Sequence, residues 1–170
     1  MYPFPHMGQG SPVGLFSVAL AVRHSVVRFQ PYTPEQLFAL VGDVDAYPQF
    51  VPWIRTMRTW NKRETAAGVS ELDAEVSVGF SFLKERFSTH VRRDANAREI
   101  TVSLLSGPFK RLRNHWRFSP HPMGAQVDFD IDFEFKSRLL EGLLAANFHL
   151  AVDRLIACFD ARAEALYGRR

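Results

Sequence analysis

Residues 125–135 alternate strictly, with Val127, Phe129, Ile131, Phe133 and Phe135 on one side and Asp128, Asp130, Asp132 and Glu134 on the other. A period of two predicts a strand with one face buried and one face in water. Directly behind it the period changes. Ser137 is a good N-cap, and Leu139, Leu140, Leu143, Leu144, Phe148, Val152, Leu155, Ile156, Phe159 and Leu166 keep helical spacing with no proline between them, which predicts one long helix over 137–167. Its first half is apolar nearly all round, interrupted by Glu141, Asn147 and His149, whereas its second half carries Asp153, Arg154, Asp160, Arg162 and Glu164 in ordinary amphipathic fashion. The first half must therefore be surrounded, and a sheet gripping it can leave an apolar chamber between the two.

The remaining pattern supplies that sheet. A strand over 25–29 stops at Pro31; Thr33, Pro34 and Gln36 then form a capping box with proline in the first turn, opening a helix that ends at Gly42. A second short turn, 44–50, is broken by Pro48 and closed by Pro52. Strands follow at 54–60, 70–82, 84–93, 99–105 and 109–118, with a polar turn at 61–68 and a six-residue loop at 119–124 before the strand described first. Short connections between consecutive strands mean an antiparallel sheet. The predicted class is α+β, a curved antiparallel sheet around a long C-terminal helix, in one domain over 22–167 behind a flexible extension, 1–21.

Composition narrows the function more than it names it. Of 170 residues, 46% are hydrophobic, and 15 Phe against 4 Met give a rigid aromatic interior. The net charge of +3 and pI near 9.3 favour an anionic partner, lipid headgroups or RNA, without choosing between them. The lone Cys158 excludes an intramolecular disulfide or a thiolate metal cluster and reads as buried packing. The longest apolar run, 13–22, is about half of what a bilayer needs, and 1–12 holds no Lys or Arg to open a signal peptide. The expected location is the cytoplasm, with peripheral contact at the inner membrane.

No zinc-protease histidine pair, phosphate loop or nucleophile elbow occurs. His149 and Asp153, four apart, could act as a base and its orienter, but a surface ion pair explains them equally. Polar residues on apolar faces say more. Asn114 sits between Leu112 and Trp116, Asn147 interrupts the helix's apolar half, and Lys110 has inward parity. Either the amides bond each other or the backbone while Lys110 reaches solvent, or the three address the polar head of an apolar ligand. Phe80, Phe82, Phe129, Phe133, Leu143 and Leu144 provide walls, where each buried methylene contributes about 0.8 kcal/mol at best. Tyr47, Phe50 and Trp53, interspersed with Pro48 and Pro52, form a candidate gate.

The run Pro31 to Trp53, containing Tyr47-Pro48-Gln49-Phe50-Val51-Pro52-Trp53, and the stretch Gly107-Pro108-Phe109-Lys110-Arg111-Leu112 continuing to Trp116-Arg117-Phe118 resemble the coenzyme Q-binding START-domain family. That family also takes in bacterial polyketide cyclase/dehydrase proteins and the ribosome-association toxin RatA. The resemblance covers about 22–166 and implies a helix-grip fold, a hydrophobic tunnel, ubiquinone as bound ligand, a role in respiration, and no established catalytic step. Three readings follow: a quinone carrier or chaperone; a cyclase/dehydrase-type enzyme using His149 or Asn114; and a ribosome-binding protein using the outer residues Arg111, Arg113, His115 and Arg117. Across a hairpin at 119–124, in-register pairing sets Arg117 opposite Gln126, His115 opposite Asp128, Arg113 opposite Asp130 and Arg111 opposite Asp132, which neutralises that basic strand.

Overall fold

In the computed structural model the residues described are 21–80, 83–145 and 148–170, without the side chains at 21, 80, 83, 143–145 and 149. Strand β1 (Ala21–Gln30) leads into α1 (Pro34–Gly42), a 3-10 turn (Val44–Ala46) and the short helix α2 (Tyr47–Phe50). Six strands follow: β2 (Ile54–Ala66), β3 (Val69–Phe80), β4 (Leu83–Asp94), β5 (Glu99–Ser106), β6 (Phe109–His121) and β7 (Gly124–Phe135). Helices α3 (Arg138–Ala145) and α4 (Phe148–Tyr167) end the chain. The seven strands form one antiparallel sheet in the order β1-β7-β6-β5-β4-β3-β2. Only β1 leaves chain order, docking along β7.

Local sequence explains the helix starts. The Gln36 amide donates to Thr33 Oγ1 at 3.1 Å, and the Thr33 amide donates to Gln36 Oε1 at 3.0 Å, so the expected capping box closes in both directions. At α3, Ser137 Oγ accepts from the Leu140 amide at 3.5 Å. The expected single helix over 137–167 is described as α3 and α4, on either side of residues outside the description.

Two strand boundaries differ from the expected ones. β2 runs through the polar stretch to Ala66: as an edge strand it is exposed along most of its length, so it needs no alternation to be stable, and one of its register shifts, between Trp60 and Arg63, spans Asn61, where φ is 55°. The β6–β7 connection is a tight hairpin, not a six-residue loop, with His121 paired to Gly124. Gly124 has φ +138°, and a Cβ there would stand 2.4 Å from the Gln30 carbonyl oxygen, so only glycine lets β1 pass this close. The shorter turn moves the register by two residues. Arg117 faces Asp128, His115 faces Asp130, Arg113 faces Asp132 and Arg111 faces Glu134. Parity is unchanged and so is the consequence: Arg111 bonds Asp132 at 2.8 Å and Glu134 at 3.3 Å, while Arg117 bonds Glu99 at 3.0 Å.

The sheet's inner face carries two apolar clusters. One joins α1 and the second half of α4 to the sheet through Leu37, Leu40, Phe118, Ile100, Val127 and Ala163. The other is built on Leu112, Phe133 and Phe135, with Phe109, Leu140 and Phe148 packed against it. Cys158, expected in the interior, is half-buried.

Candidate ligand-binding site

Cross-strand register lays out the inner wall row by row. Val26 of β1, Phe129 of β7 and Trp116 of β6 form one row; His24, Ile131 and Asn114 form the next; Val22, Phe133 and Leu112 form the one beyond. From Phe118 to Phe109, β6 therefore presents an apolar track about 30 Å long, at roughly 3.3 Å per residue, interrupted on β6 by Asn114.

A cavity opens over the first part of this track. Its floor is Trp116, Phe118, Val127 and Phe129, and its roof is the α4 stripe Val152, Leu155, Ile156, Phe159 and Ala163. The lining is almost wholly apolar at this level, and the aromatic rings interlock: Trp116 lies 4.2 Å from Phe129 and 5.5 Å from Phe159, between ring centroids. The space open to the centres of water-sized spheres is ≈ 60 Å³, enough for a few waters at about 10–15 Å³ each and too little for a prenylated ring. A larger ligand has to displace α4 or its side chains.

One edge of the cavity is polar. Arg28 and Gln30 of β1 both reach Asp160 of α4, at 3.0 and 2.8 Å. Burial pushes the Asp160 carboxyl above its ordinary range, against the pull of Arg28 and Gln30. The three side chains satisfy one another and so act as a clasp between the edge strand and α4.

Of the residues singled out in the sequence, Trp116 and Phe129 lie on the cavity wall. Phe133 belongs to the neighbouring cluster. Asn114 does face inward, half-buried, and its Oδ1 is buried with no hydrogen-bond partner. Tyr47 and Phe50 stand one ring behind the cavity, edge-on to Phe159 at 5.4 and 5.2 Å. The Tyr47 hydroxyl donates to the Val41 carbonyl, and burial lifts its phenol far above the ordinary range. Arg162 lies 5.2 Å over Phe50, so this segment is a packed wedge under α4 and forms a regular short helix in spite of Pro48. Trp53 is half-buried before β2, its carbonyl accepting from the Gly79 amide at 2.8 Å.

Lys110 corrects the expected inward orientation. A register irregularity between Phe109 and Arg111 turns it outward, where it is exposed with its ammonium 3.7 Å from Glu134. Phe82 and Asn147, both expected at the site, lie outside the described residues, as do the side chains of Phe80, Leu143, Leu144 and His149. What the sequence does not reveal is that the second half of the predicted 137–167 helix, now α4, roofs the cavity: its amphipathic stripe is legible, but the more apolar first half is the stronger candidate for a wall. Glu141 was missed as well. It is 6% exposed with both carboxyl oxygens lacking a partner.

Among the described residues no group of three metal-ligating side chains comes together, and no helix is long and apolar enough to cross a membrane.

Residues 30–160 match the family described as polyketide cyclase / dehydrase and lipid transport. The ribosome association toxin RatA of Rickettsia prowazekii is 31% identical over 148 residues, 85% of this chain and 97% of that protein. The mitochondrial coenzyme Q-binding protein COQ10 homolog B of Xenopus laevis is 29% identical over 153 residues, 88% of this chain and 61% of that protein. Among solved structures, the 18 kDa protein CC1736 from Caulobacter crescentus superposes with a TM-score of 0.74 at 61% identity, over 87% of this chain and 99% of that one. The Zhui aromatase/cyclase from a Streptomyces strain superposes with a TM-score of 0.66 at 15% identity, over 85% and 93%, a likeness of fold.

Proposed function

Because this chain belongs to the polyketide cyclase/dehydrase and lipid transport family, we propose that it carries an apolar lipid with a ring head, of the ubiquinone type, between the sheet and α4. The observation that carries this reading is the aromatic cavity under α4, continued by an apolar track along β6 and β7 that is long enough for a prenyl tail. The likeness to a coenzyme Q-binding protein supports the choice of ligand class. Entry of the tail displaces the side chains that leave only ≈ 60 Å³ free, and the wedge of Tyr47 and Phe50 behind Phe159 sets how far α4 can yield.

The same reading assigns ligand exchange to the α3 end. There the Lys136 amide bonds the Pro108 carbonyl at 2.8 Å, bringing the β5–β6 turn against the start of α3. Leu105 and Leu139 are 52% and 74% exposed, beside exposed Lys136 and Arg138. An apolar tip among cations suits an anionic membrane surface.

The test is mass spectrometry of organic extracts of the purified protein. The parent is expected to carry a prenylated lipid, and Ile156→Trp, which fills the cavity from α4, to lose more than nine-tenths of it without a lower melting temperature. Equal lipid content in parent and variant would overturn the reading.

Ribosome association, after the RatA relatives, is the second reading. The outer face of β6 gives it limited field, since Arg111 and Arg117 are engaged by Asp132, Glu134 and Glu99. Sedimentation with ribosomes that is lost in Arg111→Ala/Arg113→Ala would favour it.

A further inference from the structure

α3 inverts the usual order of a surface helix. Leu139 is 74% exposed, whereas Glu141, two residues on, is 6% exposed and neither of its carboxyl oxygens has a hydrogen-bond partner. The inversion is not a local accident of the helix start, because Ser137 caps it normally. Leu140, beside Glu141, packs into the cluster of Leu112, Phe133 and Phe135, and α3 rests on β7. Glu141 is more deeply buried than Leu140, on the helix that packs against this cluster. Burying an acceptor without a donor is unfavourable, and leucine would fit such a position better.

A second buried acceptor shares the need. Asn114 Oδ1 has no partner either, and Asn114 occupies the inward position next to Leu112 on β6, one row from Phe133. Both atoms call for the same thing from a ligand, a hydrogen-bond donor. A quinone ring offers acceptors only, while its reduced form offers two phenolic hydroxyls.

We propose that Glu141 receives a hydroxyl of the ligand's head, with Asn114 Oδ1 as the second acceptor, so that the chamber selects a hydroxyl-bearing ring, a quinol or related phenol, over the corresponding dione. This rests on the apolar-ligand reading above and specifies its head. It also accounts for a helix that keeps a glutamate inside and a leucine outside: the arrangement is unfavourable for the empty protein and is offset when the donor arrives.

The test uses decylubiquinol and decylubiquinone, which share a tail and differ in the ring. Each is equilibrated by dialysis under argon against the full chain and quantified by mass spectrometry. The parent is expected to bind the quinol about tenfold tighter than the quinone. Glu141→Leu is expected to erase that preference by weakening the quinol and leaving the quinone unchanged, with a melting temperature at or above the parent's. Glu141→Gln, which keeps one acceptor oxygen, should fall between, and it serves if the leucine variant does not fold. Equal binding of both forms by the parent, or an undiminished preference in Glu141→Leu and Glu141→Gln, overturns the role of Glu141 while the apolar-ligand reading stands. Binding of neither form overturns both.

Discussion

The two ends of the grip are built from the same residue types to opposite effect. At the α1 end polar side chains are tied across elements: the Tyr32 hydroxyl bonds the Gly168 carbonyl at 2.8 Å, the Tyr167 hydroxyl bonds the Gln36 carbonyl at 2.9 Å, and Arg28 and Gln30 clasp Asp160. Phe118, Ile100 and Ala125 are buried at 1% or less. At the α3 end Phe109 stacks on Phe135 and both meet Phe133 edge-on, yet Glu141 is buried without partners and Leu105 and Leu139 face solvent. One end ties the C-terminal turn of α4 and the edge strand β1 to the rest of the fold; the other keeps its polar and apolar needs unmet. On the reading proposed above, the first end holds the fold together around the cavity and the second admits the ligand.

The largest effect should come from the closed end. Phe118→Ala is expected to cost about 3–5 kcal/mol in urea unfolding, whereas Leu139→Glu should stay within about 0.5 kcal/mol of the parent; similar losses at both would dissolve the contrast. Next, Leu105→Glu/Leu139→Glu should weaken capture on anionic vesicles about tenfold, some 1.4 kcal/mol, with the melt unchanged. Smaller again, Tyr167→Phe should lose about 1 kcal/mol of stability, the worth of one hydrogen bond, and leave vesicle capture alone.

The smallest effect lies on the outer face and serves as a control on both ends. His90 is held between Asp73 at 2.7 Å and Glu71 at 2.8 Å. Asp73 first, then Glu71, raises its pKa above the ordinary 6.5. The His90 hydrogen bonds in turn lower Asp73 and Glu71 from 3.8 and 4.5. The histidine's contribution is complete below 6.5 and fades as pH rises through its raised value; the carboxylates' contribution is complete above 4.5 and fades as pH falls through their lowered ones. Stability from this cluster is therefore greatest between about pH 4.5 and 6.5, and His90→Gln should flatten the melting profile on both sides of that window without changing lipid content.

Much of this was legible before any coordinates. The strict alternation of 125–135, the capping box at Thr33 and the helical stripe after Ser137 each depend on neighbours in sequence, and the structure places all three where the pattern puts them. Leu72, Ala74 and Val76 of β3 alternate with polar neighbours and are buried, as are Val91 and Ile100 opposite polar faces, so parity suffices to place them inward. What parity could not supply is distance along the chain. The β6–β7 register moved by two residues because both strands continue into a tight turn, with His121 paired to Gly124, and Lys110 turned outward because an irregularity after Phe109 resets the alternation.

The site depended still more on tertiary structure. Sequence determined the α+β order, the inner and outer faces of the regularly alternating strands, and an aromatic interior with a helix to cover it, since those follow from periods of two and 3.6 and from which side chains leave water. Which part of the helix would cover the cavity was decided only when β1 paired with β7 and α1 folded under α4, because that contact joins residues more than a hundred positions apart. The burial of Glu141 was decided there too: a glutamate among leucines gives no sign of facing inward until a sheet stands on one side of its helix.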